Sequence, residues 1–239
     1  MEREDIKNEL IKKANELSLA EIGFFKLPGE GEKGLRYGIS LVMKLSDFVA
    51  DEVEEYSRPT HSYFHHYRAV NAHLDRAMLE LGALLERYGY RYLPIGASQS
   101  IPTEEDPHGY HGRFSHKKGA CLAGLGAIGM SVLFLHSEYG PRVRLGTLLC
   151  DFETTDENPP RLYADFCGGC RKCFDACPAG AITGKIYSEN SRDFELVNPA
   201  ACSRHMKEKY RLIGRGAVCG ICMSVCPAGK KRIKLKNAR

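Results

Sequence analysis

The chain has no tryptophan, no cysteine before Cys121 and no apolar run of the roughly 20 residues that a membrane helix needs. It also has almost no acid near its C-terminal end. Residues 197–239 hold eleven Lys and Arg against Glu208 alone, whereas residues 1–196 carry 23 basic and 29 acidic side chains. The first residues, MEREDIKNELIKK, lack the apolar stretch of a secretory signal. The expectation is a protein that meets no membrane and stays in a reducing cytoplasm. There, a disulfide framework is excluded as the use of its cysteines.

What is present is a 239-residue chain, 43% hydrophobic, with ten cysteines and a net charge of +4. Cys121 and Cys150 stand alone and read as small core residues. The other eight lie between Cys167 and Cys226. In a reducing compartment, such clustering argues for metal or redox chemistry. The basic end reads either as a solvated charged segment or as a counterweight to bound anionic clusters and an attractor of acidic partners.

Apolar periodicity predicts a helix over 3–18 and a long helix over 62–88 that stops at Gly89. Strands are expected at 20–27 and 36–45 around a glycine-rich turn, and at 90–96, 131–136 and 143–150. Residues 97–115 are polar, rich in Gly, Pro and His, and read as a long loop of the kind that carries function. Asn158, Pro159 and Pro160 mark a linker. The expected organisation is an α/β (α+β) domain over 1–155, binding cofactor or substrate, and a metal-organised domain over 156–239. The second has too little apolar periodicity to fold without metal.

Cys167-x2-Cys170-x2-Cys173-x3-Cys177-Pro178 is the run found in bacterial ferredoxins. Two-residue gaps let one tight loop offer three thiolates to one cube, and the cysteine before proline serves the other cube. A second run, Cys219-x2-Cys222-x3-Cys226-Pro227, has Gly216 where its first cysteine would stand. Cys202 is the one nearby cysteine left to fill that role. CxxCxxxCPAG thus occurs twice, ending at Gly180 and at Gly229. The assignment is Cys167, Cys170, Cys173 and Cys226 to one 4Fe–4S cluster, and Cys177, Cys202, Cys219 and Cys222 to the other. Arg171, Lys172, Arg204, Lys207 and Arg215 are placed to stabilise the reduced, more negative clusters. Zinc knuckles are the competing reading, but they lack a four-cysteine run ending in proline.

Gly124, Gly126 and Gly129 match GxGxxG by letter, without the preceding strand and following helix of a dinucleotide site. They read instead as a positive-φ turn or as a close-approach surface for a large flat cofactor. His61, His65, His66 and His73 lie on the long helix and read as structural. His108, His111 and His116, with Tyr110, lie in or beside the long loop and are the candidate proton donors, with Tyr110 and His116 preferred.

The stretch HKKGACLAGLGAIGM…SEYGPRVRLGTLLCD, residues 116–151, followed by the double-cluster run, resembles epoxyqueuosine reductase. It also resembles shorter double-cluster proteins and, more remotely, reductive dehalogenases. The resemblance implies a nitroreductase-like α/β domain holding cobalamin, a ferredoxin-like domain whose two 4Fe–4S clusters feed it, and a side chain that donates a proton. It further implies an electron donor such as a ferredoxin or flavodoxin, and a small-molecule or tRNA substrate. Tyr110 stands where epoxyqueuosine reductase has its catalytic Asp, about fourteen residues before the glycine turn. Ala127 and Met130 replace the usual Trp and basic residue of that turn. No helical-repeat segment follows Cys226 in this sequence. The competing function is a non-enzymatic electron carrier or accessory protein.

Overall fold

The computed structural model describes residues 2–155, 167–186 and 193–230. The Asn158–Pro160 linker and residues 231–239 of the basic end lie outside them. The chain forms two compact units. One is built from the described residues of 1–44, 70–125 and 144–161. The other is built from those of 45–69, 126–143 and 162–239. The cysteine-rich segment therefore shares its unit with two stretches far away in sequence, a division that differs from a linear cut near 155.

The first unit is a four-stranded sheet in the order β1-β2-β6-β3. Its strands are β1 (Glu21–Lys26), β2 (Tyr37–Lys44), β3 (Tyr92–Ile95) and β6 (Val143–Cys150). β1 pairs antiparallel with β2, with Glu21 opposite Val42, and β3 pairs antiparallel with β6, with Tyr92 opposite Cys150. The strands are mostly buried runs, as expected for a sheet covered by helices. Helix α1 (Arg3–Glu16) buries Ile6, Leu10 and Ala14, and leaves Ile11 partly in solvent. Within this unit, α3 (His61–Arg87) buries Val70, Leu74, Met78, Leu81 and Leu85, the 3.6-residue stripe read from the sequence. His73 of the same helix donates from Nε2 to the Leu17 carbonyl at 2.6 Å, a structural use.

Helix α4 (His116–Leu122) begins at Ser115, whose Oγ accepts from the Lys118 N–H. It ends in a Schellman turn. Gly124 N–H donates to Cys121 O and Leu125 N–H to Ala120 O, with Gly124 at φ 71°. Cys121 and Cys150 are buried free thiols, both pushed up to about 12 by burial, and serve as core residues.

The second unit contains α2 (Asp47–Glu55), the first turns of α3, and the hairpin of β4 (Gly126–Ile128) and β5 (Phe134–His136). It also contains α5 (Lys172–Asp175), α6 (Asp193–Leu196), α7 (Pro199–Lys209) and α8 (Ile221–Ser224). Asn198 caps α7 by accepting from Ala201 N–H, and Pro199 occupies the first helical turn, where its missing donor is harmless. One buried cluster of this unit brings the thiols into its packing: Ala127, Met130, Leu135, Cys167 and Ile182, with Cys173, Phe174, Cys177, Val197, Cys222 and Cys226 against it.

Candidate metal centre

The twice-occurring CxxCxxxCPAG run folds the same way both times. In the first copy, Asp175, Ala176 and Cys177 donate to the carbonyls of Arg171, Lys172 and Phe174. In the second, Ser224, Val225 and Cys226 donate to those of Gly220, Ile221 and Met223, the matching positions 49 residues on. Each copy is one short helical turn, α5 or α8, that puts its middle cysteine inside and its last cysteine just beyond the turn. The two turns pack against each other.

This packing sorts the eight thiols. Cys226 is influenced by Cys167, Cys173 and Cys170, although 49 or more residues separate it from each. Cys219 is influenced by Cys202 and Cys177, and Cys202 by Cys177. Cys222 meets Cys219, Cys202 and Cys177, and more weakly Cys173, where the two groups adjoin. These influences follow the cross-over expected from the spacing. Each proline-preceding cysteine faces the set built mainly from the other run.

The thiols are held in a state that calls for a cation. Burial pushes Cys226 up to about 11, opposed by the Ala228 N–H and reinforced by the neighbouring sulfurs. Burial likewise takes Cys219 to about 11 and raises Cys222 further. Four thiolates in so small a volume repel one another, and iron removes both penalties at once by replacing the protons. Backbone donors already point at the sulfurs: Met130 N–H at Cys167, Ile221 N–H at Cys219, and Ala181 N–H at Cys177 at 3.4 Å. Such N–H···S bonds are a lever on cluster potential. Among the described residues, no three His, Cys, Asp or Glu side chains close on one point as a single ion would require. A cube takes each thiolate at a different corner, and the all-sulfur donor sets fit it.

The first set opens into a cavity lined by Gly129, Met130, Leu135, Cys167, Cys173 and Cys226, with Lys172 at its wall. Gly129 is needed there. A Cβ would lie 2.6 Å from the Leu135 side chain and 3.4 Å from Cys167 Sγ. At Gly126 a Cβ would lie 2.1 Å from the Leu135 carbonyl, so this glycine permits β4 to pair with β5. Gly124 is the helix cap described above. The turn thus runs helix–turn–strand, the reverse of a dinucleotide site. Gly126 and Gly129 give the close approach that the hairpin and the thiol cavity need.

Residues that sequence reasoning passed over hold this centre together. Arg142 has no solvent exposure, yet its guanidinium meets Asp51 Oδ1 at 2.6 Å and Asp47 Oδ1 at 3.3 Å, both on α2. Its stem fills the space where a Cβ on Gly229 would sit, 2.9 Å away. Lys230 pairs with Glu54, so Asp47, Asp51 and Glu54 make a stripe on α2 that grips the chain on both sides of the centre. Gly140, at φ 56°, lies so close to Gly229 that a Cβ would meet its N–H at 2.5 Å. His66 accepts from the Ser46 N–H at the start of α2, and burial lowers its pKa. Tyr63 and Phe64 of α3 lie over Gly220 and Gly214.

The candidate proton donors sit in the first unit, in the loop 97–115. The loop's base is closed by His116, whose Nε2 donates to the Gly96 carbonyl at 3.0 Å while Nδ1 accepts from Thr147 Oγ1 at 2.9 Å. Burial lowers its pKa, the largest of several causes. Both ring nitrogens are occupied, which makes His116 a clasp rather than a free donor. Ala97, beside Gly96, is held by Asp75 and Arg144. Tyr110 stands out in the loop, 41% exposed, with its ring 5.4 Å from that of His108. Asp106, another residue the sequence did not single out, organises this end. It accepts from the Tyr110 N–H at 2.7 Å and lies 2.9 Å from His111 Nδ1.

The paired thiol sets lie in a segment that looks like a double-cluster iron–sulfur domain. Residues 166–229 match the family described as "4Fe-4S double cluster binding domain". More particularly, the chain is similar to epoxyqueuosine reductases and to reductive dehalogenases. The epoxyqueuosine reductase of Lactococcus garvieae (strain Lg2) is 30% identical over 114 residues, which cover 46% of this chain and 31% of the relative. Other curated relatives are spanned to a similar extent, 26% for a tetrachloroethene reductive dehalogenase of Desulfitobacterium hafniense and 41% for an epoxyqueuosine reductase of Atelocyanobacterium thalassa (isolate ALOHA). The chain therefore spans well under half the length of these curated relatives.

In fold, the chain matches an epoxyqueuosine reductase bound to an epoxyqueuosine-modified tRNA-Tyr stem loop with a TM-score of 0.60 at 17% identity, covering 96% of this chain and 67% of that one. It matches a reductive dehalogenase whose structure suggests a mechanism for B12-dependent dehalogenation with a TM-score of 0.67 at 18% identity, covering 94% and 32%. The fold of this chain is thus shared with these two proteins. No helix among the described residues is long and apolar enough to cross a membrane.

Proposed function

We propose that this protein is an iron–sulfur oxidoreductase of the epoxyqueuosine reductase kind. Cys167, Cys170, Cys173 and Cys226 hold one 4Fe–4S cluster, and Cys177, Cys202, Cys219 and Cys222 hold the other. Together they move single electrons to a redox group carried by residues 1–155. The observation that carries this reading is the sorting of eight thiols into two sets of four, each drawing its proline-preceding cysteine from the other run. The redox group proposed is a corrinoid, because the fold is shared with a B12-dependent dehalogenase. When bound, a corrinoid supplies a cobalt centre that takes up electrons and reacts with an organic substrate. Gly124 caps α4, and Gly126 and Gly129 let β4 and the thiol cavity close. Tyr110 is the proposed proton donor, held at the tip of a loop that Asp106 orders and His116 closes. The substrate class stays open between a small molecule and tRNA.

The test is anaerobic purification followed by titration with cobalamin, read by optical and EPR spectra. Tight binding with a base-off cobalt signal supports the reading. Intact clusters with no binding of cobalamin or flavin leave an electron carrier in its place.

A further inference from the structure

One end of α7 combines three features that the centre itself does not use. The first is an apolar tip: Leu212 is 92% exposed, more than any other large hydrophobic among the described residues. The second is charge. Residues 204–215 carry Arg204, Lys207, Lys209, Arg211 and Arg215 against one acid, Glu208, and all five basic side chains are exposed. No ion pair among the described residues engages them. The third is position. After Tyr210 the chain folds back along α7, bringing Gly216 against the backbone of Met206 and Lys207, so that Arg215 returns beside the helix end. Two residues before Leu212, Tyr210 lies within the influence of Cys219 and Cys177, and its ring packs 5.3 Å from that of His205.

We propose that this basic surface around Leu212 is the docking site for a small acidic electron-carrier protein that reduces the cluster held by Cys177, Cys202, Cys219 and Cys222. The inference rests on the two-cluster reading above. An exposed leucine beside exposed positive charge that no ion pair among the described residues neutralises matches a carrier whose redox centre lies among carboxylates, with the charge steering the encounter and the leucine excluding water at contact. The step is balanced simply: the carrier loses one electron, the cluster gains it, and no proton or bond changes hands. RNA is the weaker occupant, because the surface offers one aromatic residue, Tyr210, and it faces the thiols instead of presenting a stacking platform.

The experiment is anaerobic stopped-flow reduction of the intact, cluster-loaded protein, followed by bleaching of the visible cluster band. Reduced flavodoxin and a reduced acidic two-iron ferredoxin serve as the probes, with dithionite as a small reductant in parallel. The variant Lys207→Glu/Arg211→Glu/Leu212→Ser is compared with Lys12→Glu/Arg87→Glu, an equal charge reversal elsewhere. The docking variant is expected to lose about tenfold or more of the carrier rate, and most of that rate's salt dependence. Its dithionite rate and iron content should be unchanged, and the control variant should behave as wild type. Equal carrier rates in wild type and docking variant overturn the proposal, as does a wild type that neither carrier reduces. Retained carrier rates with lost binding of a tRNA stem loop assign the surface to RNA and also overturn it. Absence of any cluster band in the wild type would instead overturn the two-cluster reading.

Discussion

Arg142→Met removes the charge at the most buried cation while keeping nearly its volume. Breaking a buried ion pair from one side costs about 3–5 kcal/mol when the partner is left buried. Here the partners are not sealed off. The Asp47 and Asp51 side chains are 36% and 49% exposed and regain water when the guanidinium leaves. Arg142 Nε also lacks a hydrogen-bond partner in the folded state, a penalty of about 1 kcal/mol that methionine relieves. The expected net loss is therefore about 2 kcal/mol, which is about 4–8 °C in Tm for a chain of this length. Arg142→Ala should lose about 2 kcal/mol more, because it also leaves a cavity against Gly229. The assay is anaerobic thermal unfolding by far-UV circular dichroism, with Asp51→Asn made alone and in the Arg142→Met background. A coupling of about 1–2 kcal/mol between the two sites is expected. A Tm for Arg142→Met within about 1 °C of wild type, or above it, would refute the idea that this arginine ties α2 to the chain after Cys226.

Three further outcomes follow. Burial holds His116 and His66 below the ordinary value of 6.5, so the unfolded chain takes up protons that the folded one refuses. Their stabilisation is complete above about pH 6.5 and is lost as pH falls; Tm should decline from pH 7 to 5, and His116→Gln should flatten part of that decline. Cys226→Ser should release the cluster built with Cys167, Cys170 and Cys173 and leave about four irons per chain, and loss of the other cluster instead would reverse the assignment. Alkylation of the folded, cluster-loaded protein at pH 8 should spare Cys121 and Cys150, whose thiols are pushed up to about 12, and mass spectrometry finding either modified as fast as in the guanidinium-unfolded chain would contradict their burial.

Much of this architecture is legible in local sequence signals. The stripes of α1 and α3, the strands β1, β2, β3 and β6, and the loop 97–115 follow from apolar period and turn residues. The ligand spacing is equally local, because CxxCxxxCPAG encodes its own helical turn twice. What escaped depends on partners distant in sequence. Helix α2 is nine residues long, and its acidic stripe makes sense only against Arg142 and Lys230, 91 and 176 residues from Asp51 and Glu54. The glycine turn admits both a positive-φ turn and a surface for a flat cofactor, because close approach can serve a neighbouring strand or a ligand and the sequence does not name which. His116 looked available because a histidine beside a functional loop is a common donor; its two partners, Gly96 and Thr147, lie 20 and 31 residues away.

Everything proposed for this protein depends on eight cysteines holding two four-iron cubes. Mössbauer spectroscopy of the anaerobically purified, iron-57-labelled protein, with iron and sulfide counted on the same sample, tests it most directly. The prediction is about eight irons and eight sulfides per chain with the spectrum of two 4Fe–4S centres. A colourless protein with about two zinc ions in their place would contradict it.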